Sequence, residues 1–219
     1  MQKDKLYATK RYLLIVVLTC FFIVIGASLQ KTWNMTPETH FYQAISLLQE
    51  KQSYKAIHHF ILANKSQNST IRALSAYQLA KLYSKGTESV SSDMKKARFY
   101  YEQAAAMNIP EAQYELALLY DVGNKIPENR KKAIEQMIKA SKILPKAKYA
   151  LAVWIERGYL GTPNQKKAVE LYEQAADSGV INAMKSLISI YHGGYGLFPK
   201  NIEKEQYWRH RLEAESKKK

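Results

Sequence analysis

Apolar residues recur along most of this chain at the three- and four-residue spacing of amphipathic helices. The clearest stripe runs through Leu116, Leu119 and Tyr120. Glycine, at nine residues, and proline, at six, are scarce, whereas Ala, Leu, Lys, Glu and Gln are plentiful. This composition favours helix over sheet, so the pattern predicts an all-α protein.

The stripes repeat with a period near 36 residues. Four segments align in register: SAYQLAKLY from Ser75, AQYELALLY from Ala112, AKYALAVWI from Ala147 and AMKSLISIY from Ala183. A glycine follows each segment at separations of 37, 35 and 36 residues: Gly86, Gly123, Gly158 and Gly194. A basic residue then precedes a small one in Lys96-Ala97, Lys132-Ala133 and Lys167-Ala168, with Lys204-Glu205 as a degraded fourth copy. These landmarks predict a repeat architecture.

Each repeat is predicted to be two antiparallel helices. The recurring glycine suits a left-handed helix end that a side chain would penalise. Asp93, Asn129 and Asn164 stand where a second helix would begin and can cap it. One unit cannot bury its own apolar stripe, so stacking is required. We expect a right-handed α-solenoid of about ten helices.

The boundaries follow from these signals. Residues 71–215 divide into four repeats, 71–110, 111–145, 146–180 and 181–215, followed by a basic tail over 216–219. The Thr36-Pro37-Glu38 sequence predicts a helix start, and a further helix pair is expected over residues 37–70.

The amino-terminal part has a different pattern. Residues 12–29 read YLLIVVLTCFFIVIGASL without a charge, and as a helix they would span roughly 27 Å, close to the thickness of a hydrocarbon core. Basic residues precede this stretch and only Lys31 follows it closely, so the positive-inside rule predicts a cytoplasmic segment 1–11, a transmembrane signal anchor 12–29 and a linker 30–36. The expected location is the bacterial inner membrane, single-pass, with the carboxyl-terminal domain in the periplasm.

Three other interpretations of this stretch remain open. A cleaved signal peptide could end near Gly26-Ala27-Ser28, a lipoprotein could be modified at Cys20, or the stretch could be a buried core helix. Cys20 is the only cysteine, which excludes an internal disulfide framework and any multi-thiolate metal site.

The formal net charge is +14, which favours anionic partners. Eight basic residues between positions 125 and 148 form a candidate basic patch: Lys125, Arg130, Lys131, Lys132, Lys139, Lys142, Lys146 and Lys148. This patch is either a solvated helix face or a surface for an acidic protein or anionic lipid. The predicted export argues against nucleic acid.

The repeat pattern resembles the Sel1-like repeat family of α-solenoids. The closest copy begins at Lys167-Ala168 and ends at Ala175-Ala176, with Gly179 beyond it. Gln136-Met137 departs from the bulky aromatic pair of the family, and Glu205 stands in place of an alanine. Residues 37–70 look more like a tetratricopeptide repeat.

This resemblance implies a scaffold for protein–protein contact that has no reaction of its own. We therefore expect a monomer without enzymatic activity that binds an acidic protein ligand in a concave groove. A narrower alternative is an immunity protein that neutralises a secreted toxic effector in the periplasm, such as one that degrades lipid. A hydrolase is a remote alternative.

The first helices of such repeats line the concave surface, and their residues outside the packing stripe are candidates for partner binding. Tyrosines at interfaces supply contact area and a hydrogen bond, and they lose little conformational entropy because they have few rotatable bonds. The alternative is that these tyrosines only pack between repeats. The candidates are Tyr77, Lys81, Lys85, Tyr114, Leu118, Asp121, Tyr149, Val153, Arg157, Lys185, Ser189 and His192.

Catalytic and metal sites are not predicted. The glycine-rich run from His192 to Gly196 superficially resembles an oxyanion loop, but Gly194 holds the repeating glycine position and predicts a turn. His58 and His59 are adjacent and would point about 100° apart on a helix, so they cannot chelate one ion together. We expect no cofactor and no metal.

Overall fold

The computed structural model describes residues 35–121 and 129–218, and these residues form ten α-helices joined by short loops. The helices are α1 Pro37–Gln49, α2 Ser53–Ala63, α3 Ser69–Lys85, α4 Met94–Ala106, α5 Pro110–Asp121, α6 Arg130–Ser141, α7 Pro145–Glu156, α8 Gln165–Asp177, α9 Ile181–Gly193 and α10 Ile202–Ser216. The only β-type pairing in these ranges is two isolated bridges inside loops. The all-α prediction is confirmed.

The helices pack as five successive pairs, each helix mainly against the other helix of its pair. The second helix of one pair then packs on the first helix of the next, as in α4 on α5 and α6 on α7. Each pair thereby covers an apolar stripe that its neighbour would otherwise expose to water. The chain is an α-solenoid, as the repeat pattern predicts.

Glycines at positive φ end the first helices of three Sel1-like pairs. The φ angles are 69° at Gly86, 74° at Gly158 and 75° at Gly194, a region that an L side chain enters at a cost. Beyond Gly194, Tyr195 and Phe198 form a tight bridged turn. The glycine-rich run is therefore the turn between α9 and α10, and the fourth landmark, Gly123, lies outside the described residues.

Short polar side chains cap the second helices at the predicted positions. Asp93 accepts from the backbone amides of the first turn of α4, Asn129 from that of Lys132 and Asn164 from that of Lys167. Asn201 caps α10 in the same way. Each cap satisfies a backbone donor that has no partner within its helix.

Alanines let the helices approach closely, and one large side chain per second helix fills the space between them. Ala97, Ala133 and Ala168 are completely buried. Met137 is completely buried at the position where α4 has Tyr101 and α8 has Tyr172. Met137 departs from the family pattern, but its flexible side chain fills the same space in the core.

Two of the predicted membrane features lie outside the described residues: the transmembrane anchor 12–29 and the cytoplasmic segment 1–11. Within the described ranges, no helix combines the length and the apolar character needed to span a bilayer.

Candidate partner-binding face

The first helices of the last four helix pairs share an outward arc, here called the first-helix face. It lies opposite the buried leucines Leu79, Leu116, Leu151 and Leu187. An α-helix turns by about 100° per residue. The residues two before, two after, five after and six after each leucine therefore lie on this arc. Of the twelve predicted partner-binding residues, eleven lie on α3, α5, α7 and α9, and Arg157 follows α7 directly.

The three tyrosines of this face are half-buried. The Tyr77 ring lies 6.3 Å from that of Tyr101, and the Tyr149 ring 5.6 Å from that of Tyr172. The Tyr114 ring lies 4.3 Å from the ammonium group of Lys146. Tyr77 and Tyr149 therefore pack within their repeats and Tyr114 packs against the next repeat, while all three rings leave part of their surface to solvent.

Burial and nearby carboxylates change the acidity of these phenols. Desolvation raises the pKa of Tyr77, and the negative charges of Glu111 and Glu115 add to this increase. The pKa of Tyr114 is raised for the same reasons, with Glu115 as the charge. Both phenols stay protonated at neutral pH and can donate a hydrogen bond to a ligand.

The remaining predicted residues differ in accessibility. Lys85, Arg157, Lys185, Ser189 and His192 are exposed, whereas Lys81, Leu118, Asp121 and Val153 are half-buried. His192 also contacts the next helix, because its Nδ1 lies 3.1 Å from Glu205 Oε2. The structure thus assigns His192 a link to α10 as well as a place at the end of the first-helix face.

Carboxylates on this face were missed by the sequence analysis. Glu111 on α5 and Glu156 on α7 are half-buried within the same outward arc, and the half-buried Glu115 lies just beside it. Glu115 pairs with Lys146 across 3.7 Å. These carboxylates could have been found in the sequence, because they stand five residues before, one before or five after a repeat leucine. The face therefore carries mixed charge, with acidic groups at its centre.

Glu156 lies at the edge of a cavity of about 290 Å³ between α7 and the α9–α10 turn. Ser186, Ser189 and Tyr195 supply further polar groups to the lining. The Tyr172 hydroxyl donates to Glu156 Oε2 at 2.6 Å, and burial together with this carboxylate raises the pKa of Tyr172. The cavity presents an oriented carboxylate and hydroxyl groups, which suits a basic or hydroxyl-bearing side chain of a ligand.

The eight residues of the basic patch are not brought together in one place. Arg130, Lys131 and Lys132 form the first turn of α6, whereas Lys139 lies in its last turn. Twelve residues of helix extend about 18 Å, so these groups lie near opposite ends of α6 and on opposite edges of the solenoid. Lys142, Lys146 and Lys148 follow at the far end, and Lys125 lies outside the described residues.

A histidine pair in the first helix pair was also missed. His40 Nδ1 and His59 Nδ1 lie 2.8 Å apart, and burial lowers the pKa of both rings. One ring must donate and the other accept, so this contact joins α1 to α2 through neutral imidazoles. In the ranges that the structure covers, no three His, Cys, Asp or Glu side chains are grouped so that they could hold a metal ion.

A family model for the Sel1 repeat matches residues 73–109, 110–142 and 145–180. These segments coincide closely with the pairs α3–α4, α5–α6 and α7–α8, so the repeats are Sel1-like, a fold suited to protein–protein interaction. No curated protein matches the chain.

Solved structures agree on the fold. A Sel1 repeat protein from Oxalobacter formigenes is 24% identical, with 84% of this chain and 75% of that chain covered and a TM-score of 0.68. A protective antigen with an SLR fold from uropathogenic Escherichia coli is 21% identical, with 74% of this chain and 34% of that chain covered and a TM-score of 0.66. An immunity protein from Pseudomonas aeruginosa is 14% identical over 82% of this chain and 81% of its own, and its TM-score of 0.39 is too low to bear on function.

Proposed function

We propose that this Sel1-like α-solenoid is a non-enzymatic scaffold that binds a protein ligand on its first-helix face. The observation that carries the proposal is a continuous row of half-buried tyrosines with charged neighbours across stacked repeats. Such residues are typical anchors of protein interfaces. Catalysis is not part of the proposal.

The ligand is expected to carry both signs of charge. Lys81 and Lys85 on α3 would face acidic groups of the ligand, as the basic composition predicts. Glu111 on α5 and Glu156 on α7 would face basic groups. Complementary charges of this kind set the orientation and the rate of association more than the affinity itself.

The test is a double substitution, Tyr114→Ala with Tyr149→Ala, in the full chain. Loss of an interface anchor weakens binding by at least about 2 kcal/mol, so we expect roughly a thirtyfold loss of ligand affinity. Phe99→Ala on α4 is the matched control, because Phe99 is an exposed aromatic residue away from this face.

Helix content and the unfolding midpoint must be measured alongside. Loss of folding in the double variant would support a packing role for the tyrosines. The test of ligand binding would then be made with Glu111→Lys, which changes a half-buried charge without removing a packed ring. Unchanged binding by both the double variant and Glu111→Lys would exclude this face.

We further propose that residues 12–29 anchor the protein in the bacterial inner membrane and that the repeats face the periplasm. The support is the uncharged run with basic residues before it. A carboxyl-terminal reporter that is active only in the cytoplasm would contradict this orientation if it showed activity.

The narrower role of an immunity protein predicts a specific outcome. Coexpression of the full chain would protect cells against one periplasmic toxic effector, and binding to that effector would require Tyr114 and Tyr149. Binding of a ligand without any protection would leave the general scaffold role alone.

A further inference from the structure

One edge of the solenoid gathers the loops that join the first to the second helix in each Sel1-like pair. We call it the loop edge; it comprises the last two residues of each first helix, the loop and the first three residues of the second helix. Two contacts between neighbouring pairs show that it is continuous from α5–α6 to α9–α10. The Arg130 guanidinium lies 5.3 Å from the centre of the Tyr159 ring, and the Leu197 amide donates to Gln165 Oε1 at 3.1 Å.

Positive charge is concentrated on this edge. Among the described residues it carries eleven Lys and Arg against five Asp and Glu. The cations are Lys85, Lys95, Lys96, Arg130, Lys131, Lys132, Arg157, Lys166, Lys167, Lys200 and Lys204, and the carboxylates are Glu88, Asp93, Asp121, Glu156 and Glu203.

The lysines fall into two groups with different surroundings. Those at the third position of the second helices have partners within the fold, as when Lys96 lies 5.1 Å from the Tyr83 ring centre and Lys204 4.9 Å from that of Tyr191. Those at the second position, Lys95, Lys131 and Lys166, are exposed and form no salt bridge with the described residues.

Helix stability does not explain the second group. The first turn of a helix carries partial positive charge, so a cation there is unfavourable for the helix. Side chains at helix starts also tilt toward the amino-terminal end, which projects these ammonium groups beyond the edge. The same placement recurs in three successive pairs, so the charge is presented outward along a line.

Apolar side chains protrude from the same edge. Leu160 in the α7–α8 loop is 39% exposed, Leu197 in the α9–α10 loop is 77% exposed and Ile202 at the start of α10 is 57% exposed. Leu160 and Leu197 lie in successive loops, and Ile202 begins the helix that follows the second of these loops. Apolar side chains flanked by cations can enter the interface of an anionic membrane, where apolar burial and attraction to the head groups act together.

We propose that the loop edge docks on an anionic phospholipid bilayer, with the lysines on the head groups and Leu160, Leu197 and Ile202 in the interface. A repeated row of cations with protruding apolar side chains matches a broad anionic surface better than a shaped acidic protein. Docking would cover the rim residues that the loop edge shares with the first-helix face, such as Lys85 and Arg157, and would leave Tyr77, Tyr114 and Tyr149 open to a ligand. The inference does not depend on the proposed ligand, and it concerns a surface other than the anchor.

The experiment places an environment-sensitive fluorophore on Thr162→Cys, an exposed loop-edge position beside Leu160, in the full chain carrying Cys20→Ser. The chain is mixed with vesicles of phosphatidylcholine alone or with added phosphatidylglycerol, each containing brominated lipid as a quencher. Ser178→Cys, on an exposed turn at the opposite edge, is the control label. Sedimentation with phosphatidylcholine vesicles reports on the anchor separately.

We expect fluorescence quenching at position 162 that requires phosphatidylglycerol and weakens as salt screens the charges. Quenching at position 178 should be smaller. Replacing Lys95, Lys131 and Lys166 by Gln should lower the ratio of docked to undocked protein by roughly fivefold per lysine. The matched control replaces Lys65, Lys142 and Lys217 by Gln, which are exposed near the carboxyl ends of second helices at the opposite edge, and should change the ratio little.

Three results would overturn the proposal. One is the absence of quenching at position 162 in anionic vesicles. The second is equal quenching at positions 162 and 178, or in both kinds of vesicle, which would reflect tethering alone. The third is a fluorescence change with soluble polyglutamate but no lipid quenching, which would assign the edge to an acidic protein.

Discussion

The outer and central junctions between the Sel1-like repeats use different chemistry at the same position. At the first junction the Tyr120 hydroxyl donates to Glu102 Oε1 at 2.5 Å, and at the third the Tyr191 hydroxyl donates to Glu173 Oε1 at 3.0 Å. At the central junction the corresponding residues are Ile138 and Ile155. Tyrosine thus occurs with glutamate and isoleucine with isoleucine.

This difference shows that the position does not require a particular residue. A buried tyrosine hydroxyl needs an acceptor, and a carboxylate on the preceding helix supplies it. Isoleucine side chains need no hydrogen-bond partner and contribute apolar area instead. Solenoid stability is largely a sum over neighbouring repeats, so each junction can be assembled independently.

The largest expected effect comes from removing the ring at an outer junction. Tyr120 is only 4% exposed, so Tyr120→Ala should lower the free energy of unfolding by about 3–5 kcal/mol. Ile155→Ala at the central junction should cost about 1–2 kcal/mol, because Ile155 is half-buried. Urea denaturation followed by circular dichroism measures both, and equal losses would remove the distinction between the junctions.

A smaller effect isolates the hydroxyl–carboxylate bond. Tyr120→Phe should cost about 1.5 kcal/mol, at the low end for a bond to a charged group because Glu102 is partly solvated. A double-mutant cycle with Glu102→Gln gives the coupling between the two side chains. A coupling near zero would mean that the matched pair is incidental.

The smallest effect is expected at alkaline pH. Burial and the bond to Glu102 raise the pKa of Tyr120 to about 12. The folded state then holds a proton that the unfolded state loses above about pH 10, so stability should fall as pH rises from about 10 to 12. At pH 11 we expect this loss to reach at most about 1 kcal/mol more in the wild type than in Tyr120→Phe; equal slopes would indicate that Tyr120 titrates normally.

Much of the repeat architecture could be predicted from the sequence, because the signals are local. The spacing of Leu79, Leu116, Leu151 and Leu187 gives the buried side of each first helix, and Asp93, Asn129 and Asn164 mark where second helices begin. Caps and helix periodicity depend on residues within about one turn. The outward arc of the first helices follows from the same periodicity.

Contacts between repeats could not be predicted in this way. Glu102 and Tyr120 are 18 residues apart, and Arg130 meets Tyr159 from the next pair. The sequence also placed Arg130 and Lys139 in one basic patch, although α6 separates them. Residues that are close in sequence can lie at opposite ends of one helix and therefore on opposite edges of a solenoid.

The sequence by itself determined that paired helices repeat and which side of each helix is buried, because these properties depend on spacing within a single helix. Tertiary structure alone decided which side chains meet across a junction and how Lys95, Lys131 and Lys166 align on one edge. Those arrangements depend on the stacking of one helix pair on the next, which sets distances between residues that are far apart along the chain.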